Sequence, residues 1–286
     1  MNKTKQTALR RLLIFLAITF ALSWIPAAIL NHTLGYEEWF LSGHYTAAVL
    51  LFGGGPAFAN VLTRLITKEG LEDSKLHLNL KGNLRYYLIA LVTPLLYGVL
   101  RGVLLTARHG DFSAAGDYSG KMLAIGILQA APYSLVMAFN TFGEEFGWRA
   151  YMNPKMEPLL GKAGTVIIGG IVWGLWHAPL TVKGHNFGTD YPGFPWLGIL
   201  LMCLFCIGTG TFFMWLTDRT DSVFSASVAH AAVNNGGMIF MQLVLRGVPE
   251  SLEPTLADRC LALLPEALLS FIVFGAMMLH ARKKKA

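Results

Sequence analysis

Eight apolar stretches constrain this chain more than any other feature. They run roughly over 12–30, 45–66, 84–106, 122–149, 163–181, 196–217, 222–245 and 261–281. About 20 residues suffice to cross the hydrocarbon core, so each stretch is long enough. In lipid every backbone N–H and C=O must be satisfied inside its own segment, which makes the segments helices. The expected fold is therefore all-α, a polytopic membrane bundle of about eight transmembrane helices. Composition supports this: 54% of residues are hydrophobic and 14% charged, against about 25% charged in soluble domains. With no repeat or linker in sight, residues 1–286 read as a single integral membrane domain.

The charges set an orientation. With the N-terminus in the cytoplasm, the inner ends and loops carry sixteen of the 23 Lys and Arg residues and the outer loops five. Basic residues favour the cytoplasmic side, so both termini are expected inside. The net charge of +6 follows from this placement and implies no nucleic-acid partner. The partners this placement implies are membrane lipids. The basic start followed by the apolar run 12–30 reads as an uncleaved first helix, because the run is long and no small-x-small site follows. The stretch 67–83 reads as interfacial. Cys203 and Cys206 form a CxxC inside an apolar segment, where packing is the expected role. Gly53-Gly54-Gly55-Pro56 predicts a kink or a close helix contact.

Polar residues interrupt three of these helices. Glu144, Glu145 and Arg149 lie in NTFGEEFGWRAY, Trp173 and His177 in IVWGLWHAP, and His230, Asn234 and Asn235 in SVAHAAVNN. An ionisable group near a helix centre costs roughly 2.5–3.5 kcal/mol on insertion scales, so the groups are expected to meet one another. Glu145 and Arg149 are four apart with the acid first, the favourable order for a helical ion pair. Glu144 then points away and stays unengaged by that pair. Trp173 and His177 share a face, as do His230 and Asn234. Each motif also has a plain structural reading: a snorkelling pair at a helix end, a histidine in an aromatic belt, and interhelical hydrogen bonds.

Together the motifs suggest hydrolysis. A carboxylate beside two imidazoles can activate water, and an amide can donate to a developing oxyanion. Glu144, His177 and His230 could alternatively hold one zinc ion with an open position. The reaction thus needs either no cofactor or a single zinc. HExxH, GxGD and a GxSx serine context are all missing. A small transporter with a polar relay and a non-catalytic scaffold are the rival classes.

The three motifs, in this order, resemble those of the CPBP family of intramembrane proteases, which includes type II CAAX prenyl endopeptidases and bacteriocin-processing or immunity relatives. EExxxR is met by Glu144, Glu145 and Arg149. The aromatic-xxx-His motif is met by Trp173 and His177, with Trp where Phe is common. HxxxN is met by His230 and Asn234. The resemblance covers about 140–240 and implies a protease-like core over about 122–245. It implies an endopeptidase with a site sunk in the membrane and open to the cytoplasm, often labelled a metalloprotease, acting on a protein or peptide substrate with its scissile bond near the membrane. Glu144 and His177 would activate water, His230 and Asn234 would stabilise the oxyanion, and Glu145, Arg149, Trp173 and Asn235 would support them. An Asn at the last position is a poor zinc ligand. By linear depth His177 falls farther from the cytoplasmic face than Glu144 or His230. The fifth helix must therefore tilt, or begin before 163, for the three to meet.

Overall fold

A computed structural model describes residues 3–43, 45–110, 120–236 and 255–283. Among them the secondary structure is helical, without strands. The long helices are α1 (Lys3–Thr33), α2 (Thr46–Thr67), α3 (Leu84–His109), α4 (Gly120–Gly147) and α5 (Asn153–Trp176). After a short α6 (Ala178–Thr181) come α7 (Trp196–Thr220), α8 (Val223–Ala231), α9 (Leu256–Ala262) and α10 (Leu264–Lys283). Three π-helical turns join this set, at Glu37–Leu41, Trp148–Met152 and Ala232–Gly236.

By length and composition, six helical runs among the described residues can cross a membrane. This differs from the expected eight for two reasons. The expected fourth and fifth segments form one run, Ala124–Trp176. The seventh segment is described only to Gly236; its remainder, 237–245, lies outside the described residues. The chain is an integral membrane protein by these apolar helices.

The long run folds back on itself at Gly161, whose φ of 69° and ψ of 173° break the helix. Positive φ is a conformation glycine adopts without steric penalty. Across the turn a Cβ on Gly169 would sit 3.3 Å from Asn153 Oδ1. Higher up, the Arg149 guanidinium lies 4.6 Å from the centre of the Trp173 ring, and the rings of Trp148 and Trp176 are 5.7 Å apart. Glu144 and His177 are nearly equidistant from Gly161 along the chain, so the hairpin brings them to one level. The depth conflict in the sequence came from ending the fourth helix at 149. It continues through the π turn and beyond to the Gly161 break.

Close backbone approaches fix the neighbours. A Cβ on Gly147 would lie 2.3 Å from Pro56 Cβ, and one on Gly143 would lie 2.9 Å from Gly53 O. The GGGP stretch is thus the close contact of α2 with α4, on either side of Glu144 and Glu145. Small residues at helix contacts are the usual device of membrane bundles. Asn60 Nδ2 donates to Phe146 O at 2.8 Å across the same contact. α7 is the central helix: 67% of its apolar window is buried, against 22–39% for the other runs. α1 turns one stripe inward, Leu12, Phe15, Thr19, Ser23 and Ala27, at the three-to-four spacing of a helix face. Ser222 caps α8 by accepting from Phe224 N at 3.3 Å. The stretch 68–83 docks beneath it: Val223 N donates to Lys75 O at 3.0 Å, and Asn79 Nδ2 donates to Thr220 O at 3.1 Å. Cys203 and Cys206 are buried free thiols.

Candidate active site

Trp173 is the centre of the polar set. Its indole Nε1 donates to Glu144 Oε2 at 2.8 Å. Its backbone carbonyl accepts from His177 Nδ1 at 2.9 Å. Its ring stands edge-on to His230, with centroids 5.4 Å apart, and its face carries the Arg149 guanidinium. A carbonyl can only accept, so His177 carries its proton on Nδ1 and presents the Nε2 lone pair.

The two adjacent acids are treated differently. Glu145 is fully buried and held from both sides. Arg149 Nε lies 3.0 Å from its Oε2, and His230 Nδ1 lies 2.8 Å from its Oε1. Glu144 is half-buried, and Trp173 is its hydrogen-bond partner. The expected Glu145–Arg149 pair is present. The bond from Glu145 to His230 is additional, and it joins the first motif to the third. Phe213 of α7 stacks on His230, with centroids 5.4 Å apart and planes 26° apart.

Two expected residues stand apart. Asn234 is exposed, and no hydrogen bond ties it to Glu144, His177 or His230 among the described residues. Its helix widens into a π turn directly after Ala231. A π turn shifts the helical phase of the residues beyond it, so the i,i+4 rule no longer sets Asn234 relative to His230. The Asn235 side chain lies outside the described residues.

Zinc requires donors converging on one point at about 2.0–2.2 Å. Among the described residues no three His, Cys, Asp or Glu side chains are grouped to hold a metal. Glu144 instead accepts from Trp173. Glu144, His177 and His230 as arranged do not fit the ion.

His185 was not read from the sequence. Its ring is parallel to that of His177 within 8°, with centroids 6.1 Å apart. Its Nδ1 lies 2.9 Å from the hydroxyl of Tyr36. It stands in a loop, with no helical periodicity to point it at the bundle.

Residues 120–236 match the family model described as Rce1-like, type II CAAX prenyl endopeptidase. The matched stretch begins with α4, ends with the π turn after His230, and contains all three motifs. Over these residues the chain is similar to that family. No curated protein matches this chain. Within the matched stretch, the hairpin α4–α5 supplies Glu144, Glu145, Arg149 and Trp173, with His177 at its end, and α8 supplies His230. α1, α2 and α3 lie before it. α1 packs on it directly through Phe15, 5.9 Å from Trp148 and 5.1 Å from Tyr151 between ring centroids.

Proposed function

We propose that this protein is an intramembrane endopeptidase that hydrolyses a peptide bond of a membrane-associated or lipidated protein or peptide. One observation carries the reading: two neighbouring carboxylates, of which Glu145 is locked and Glu144 is accessible, beside two histidines at the level of Trp173. The family match supports the same class of reaction.

In this reading Glu144 takes one proton from a water molecule, while the Nε2 lone pair of His177 accepts a hydrogen bond from the O–H that remains. The water oxygen attacks the scissile carbonyl carbon. His230, doubly protonated in this reading with Nδ1 held by Glu145, donates from Nε2 to the resulting oxyanion. Asn234, exposed at the end of the same helix, donates its amide to that oxygen once a peptide is bound. Glu144 then returns its proton to the leaving nitrogen, and the C–N bond breaks. Arg149 holds Glu145 in place, and Trp173 aims Glu144. The distribution of basic residues supports an orientation with both termini in the cytoplasm. The site opens to that side, within a hydrolytic core over about 122–245 of a single membrane domain.

The test is cleavage of fluorescence-quenched peptides, with and without an S-prenylated cysteine, by purified protein in detergent. Cleavage of the prenylated set alone identifies a lipidated substrate. Cleavage of both sets identifies a peptide whose membrane association is not lipid-encoded. Turnover that persists in Glu144→Gln contradicts the role given to Glu144, and cleavage of neither set by wild type favours a transporter or scaffold.

A further inference from the structure

His185 is held more firmly than a loop residue needs to be. Its backbone N–H donates to Leu180 O at 3.2 Å, and Gly188 N donates to Gly184 O at 2.8 Å. The turn uses positive φ at Gly184, Asn186 and Gly188. The segment joining α1 and α2 closes over it. Phe40 stands edge-on to its ring at 5.4 Å, and Tyr36 stacks on Phe40 at 5.3 Å. Asn31 Nδ2 donates to Pro179 O at 2.8 Å, which ties the end of α1 to the same loop.

The two histidines are complementary. His177 has its proton on Nδ1 and a lone pair on Nε2. On His185 it is Nδ1 that meets a phenol. A phenol donating to that nitrogen leaves the His185 proton on Nε2. Neither Nε2 has a hydrogen-bond partner among the described residues. The site thus offers one acceptor and one donor on two parallel rings about 6 Å apart, which suits a peptide and the water that attacks it. Burial pushes the His185 imidazole down to about 4 and lifts the Tyr36 phenol to about 12. Both groups are therefore neutral at pH 7, as this pairing requires.

We propose that His185 is a substrate-binding residue of this site, donating from Nε2 to a backbone carbonyl of the bound peptide, with Tyr36 holding it in that tautomer. The inference rests on the endopeptidase reading. His185 fixes the peptide beside His177 and takes no proton from water.

The test compares His185→Ala, His185→Gln and Tyr36→Phe on the quenched peptides. A neutral hydrogen bond is worth about 0.5–1.5 kcal/mol net, so His185→Ala is expected to raise KM up to about tenfold at nearly unchanged kcat. His185→Gln keeps an N–H donor and recovers most of the loss. Tyr36→Phe falls between them. A purely structural role would lower the melting temperature in all three without splitting KM from kcat. Wild-type KM in His185→Ala, or a Gln variant as poor as Ala, overturns the proposal. If wild type cleaves no peptide, the endopeptidase reading fails. Binding of the same peptides to the Glu144→Gln variant, read by tryptophan fluorescence, then decides His185 alone. Weaker binding on adding His185→Ala supports the proposal; unchanged binding, or none by any variant, overturns it.

Discussion

Two polar clusters lie along the α4–α5 hairpin, and they are wired differently. Near the Gly161 turn, Lys155 meets Glu69 at 2.6 Å and Asp73 at 3.2 Å. Arg11 reaches Glu69 at 3.2 Å, and Arg64 reaches Asp73 at 2.5 Å. Tyr151 adds a bond to Glu69 at 2.6 Å. Each acid there has cationic partners from separate segments. Around Trp173 one acid, Glu145, is bound in the same manner, while Glu144 accepts from the neutral Trp173 indole. The first cluster ties α1, α2 and the loop 68–83 to the hairpin. The second leaves a carboxylate able to exchange its partner for a water molecule. A bundle that only needed stability would answer both acids alike.

The sharpest way to break this contrast is through Arg149. Its side chain is nearly fully buried against Glu145, and stripping one partner from a buried pair typically costs about 3–5 kcal/mol. Arg149→Ala should lower the melting temperature in detergent more than any other single change named here. An Arg149→Ala protein as stable as wild type would make Glu145 independent of it.

Trp173→Phe removes one donor and keeps the ring. A hydrogen bond to a charged group is worth about 1.5–3 kcal/mol, so kcat should fall roughly tenfold to a hundredfold, with some loss of stability because the phenyl ring fills less of this buried site. An unaffected kcat would mean that Trp173 does not aim Glu144. At the other cluster, Lys155→Ala should cost about 2 kcal/mol of stability and leave kcat near wild type. A loss of kcat without a loss of stability would erase the division between the two clusters.

Much of the candidate site was legible because its residues follow helical spacing. Glu145 to Arg149 and Trp173 to His177 are local relations, and four residues along a helix fix them. The bond from His230 to Glu145 joins α8 to α4, and no spacing within one helix encodes it. Trp173 was legible as a neighbour of His177. Its role as donor to Glu144 depends on the Gly161 hairpin, which an apolar run does not reveal because hydropathy continues through 149. The π turns at Trp148–Met152 and Ala232–Gly236 defeat a 3.6-residue period, and the second of them separates Asn234 from the phase of His230. The helical class was legible throughout, because lipid leaves a long apolar chain few alternatives.

The smallest effect separates the clusters by pH. His185 has its value lowered to about 4 by burial, so the unfolded chain binds a proton there that the folded chain refuses. Stability is present above about 6.5 and lost as pH falls toward 4. Burial alone would raise Glu69 and Asp73. Hydrogen bonds and charge from Lys155, with Tyr151 and Thr67 on Glu69 and Arg64 on Asp73, outweigh it and hold both below their usual values of 4.5 and 3.8. Their contribution is lost only at lower pH, as each is protonated. His185→Gln should therefore flatten the melting curve between pH 6.5 and 4 and leave the steeper acid limb. A slope unchanged in His185→Gln would place the titration elsewhere.

The most direct measurement sets Glu144→Gln beside Glu145→Gln, with turnover of the quenched peptides and melting temperature read on the same preparations. A general base typically contributes about 10²- to 10⁴-fold. Glu144→Gln should lose turnover on that scale and melt like wild type, whereas Glu145→Gln should melt well below it. Wild-type turnover in Glu144→Gln, or equal destabilisation of the two variants, would contradict the account.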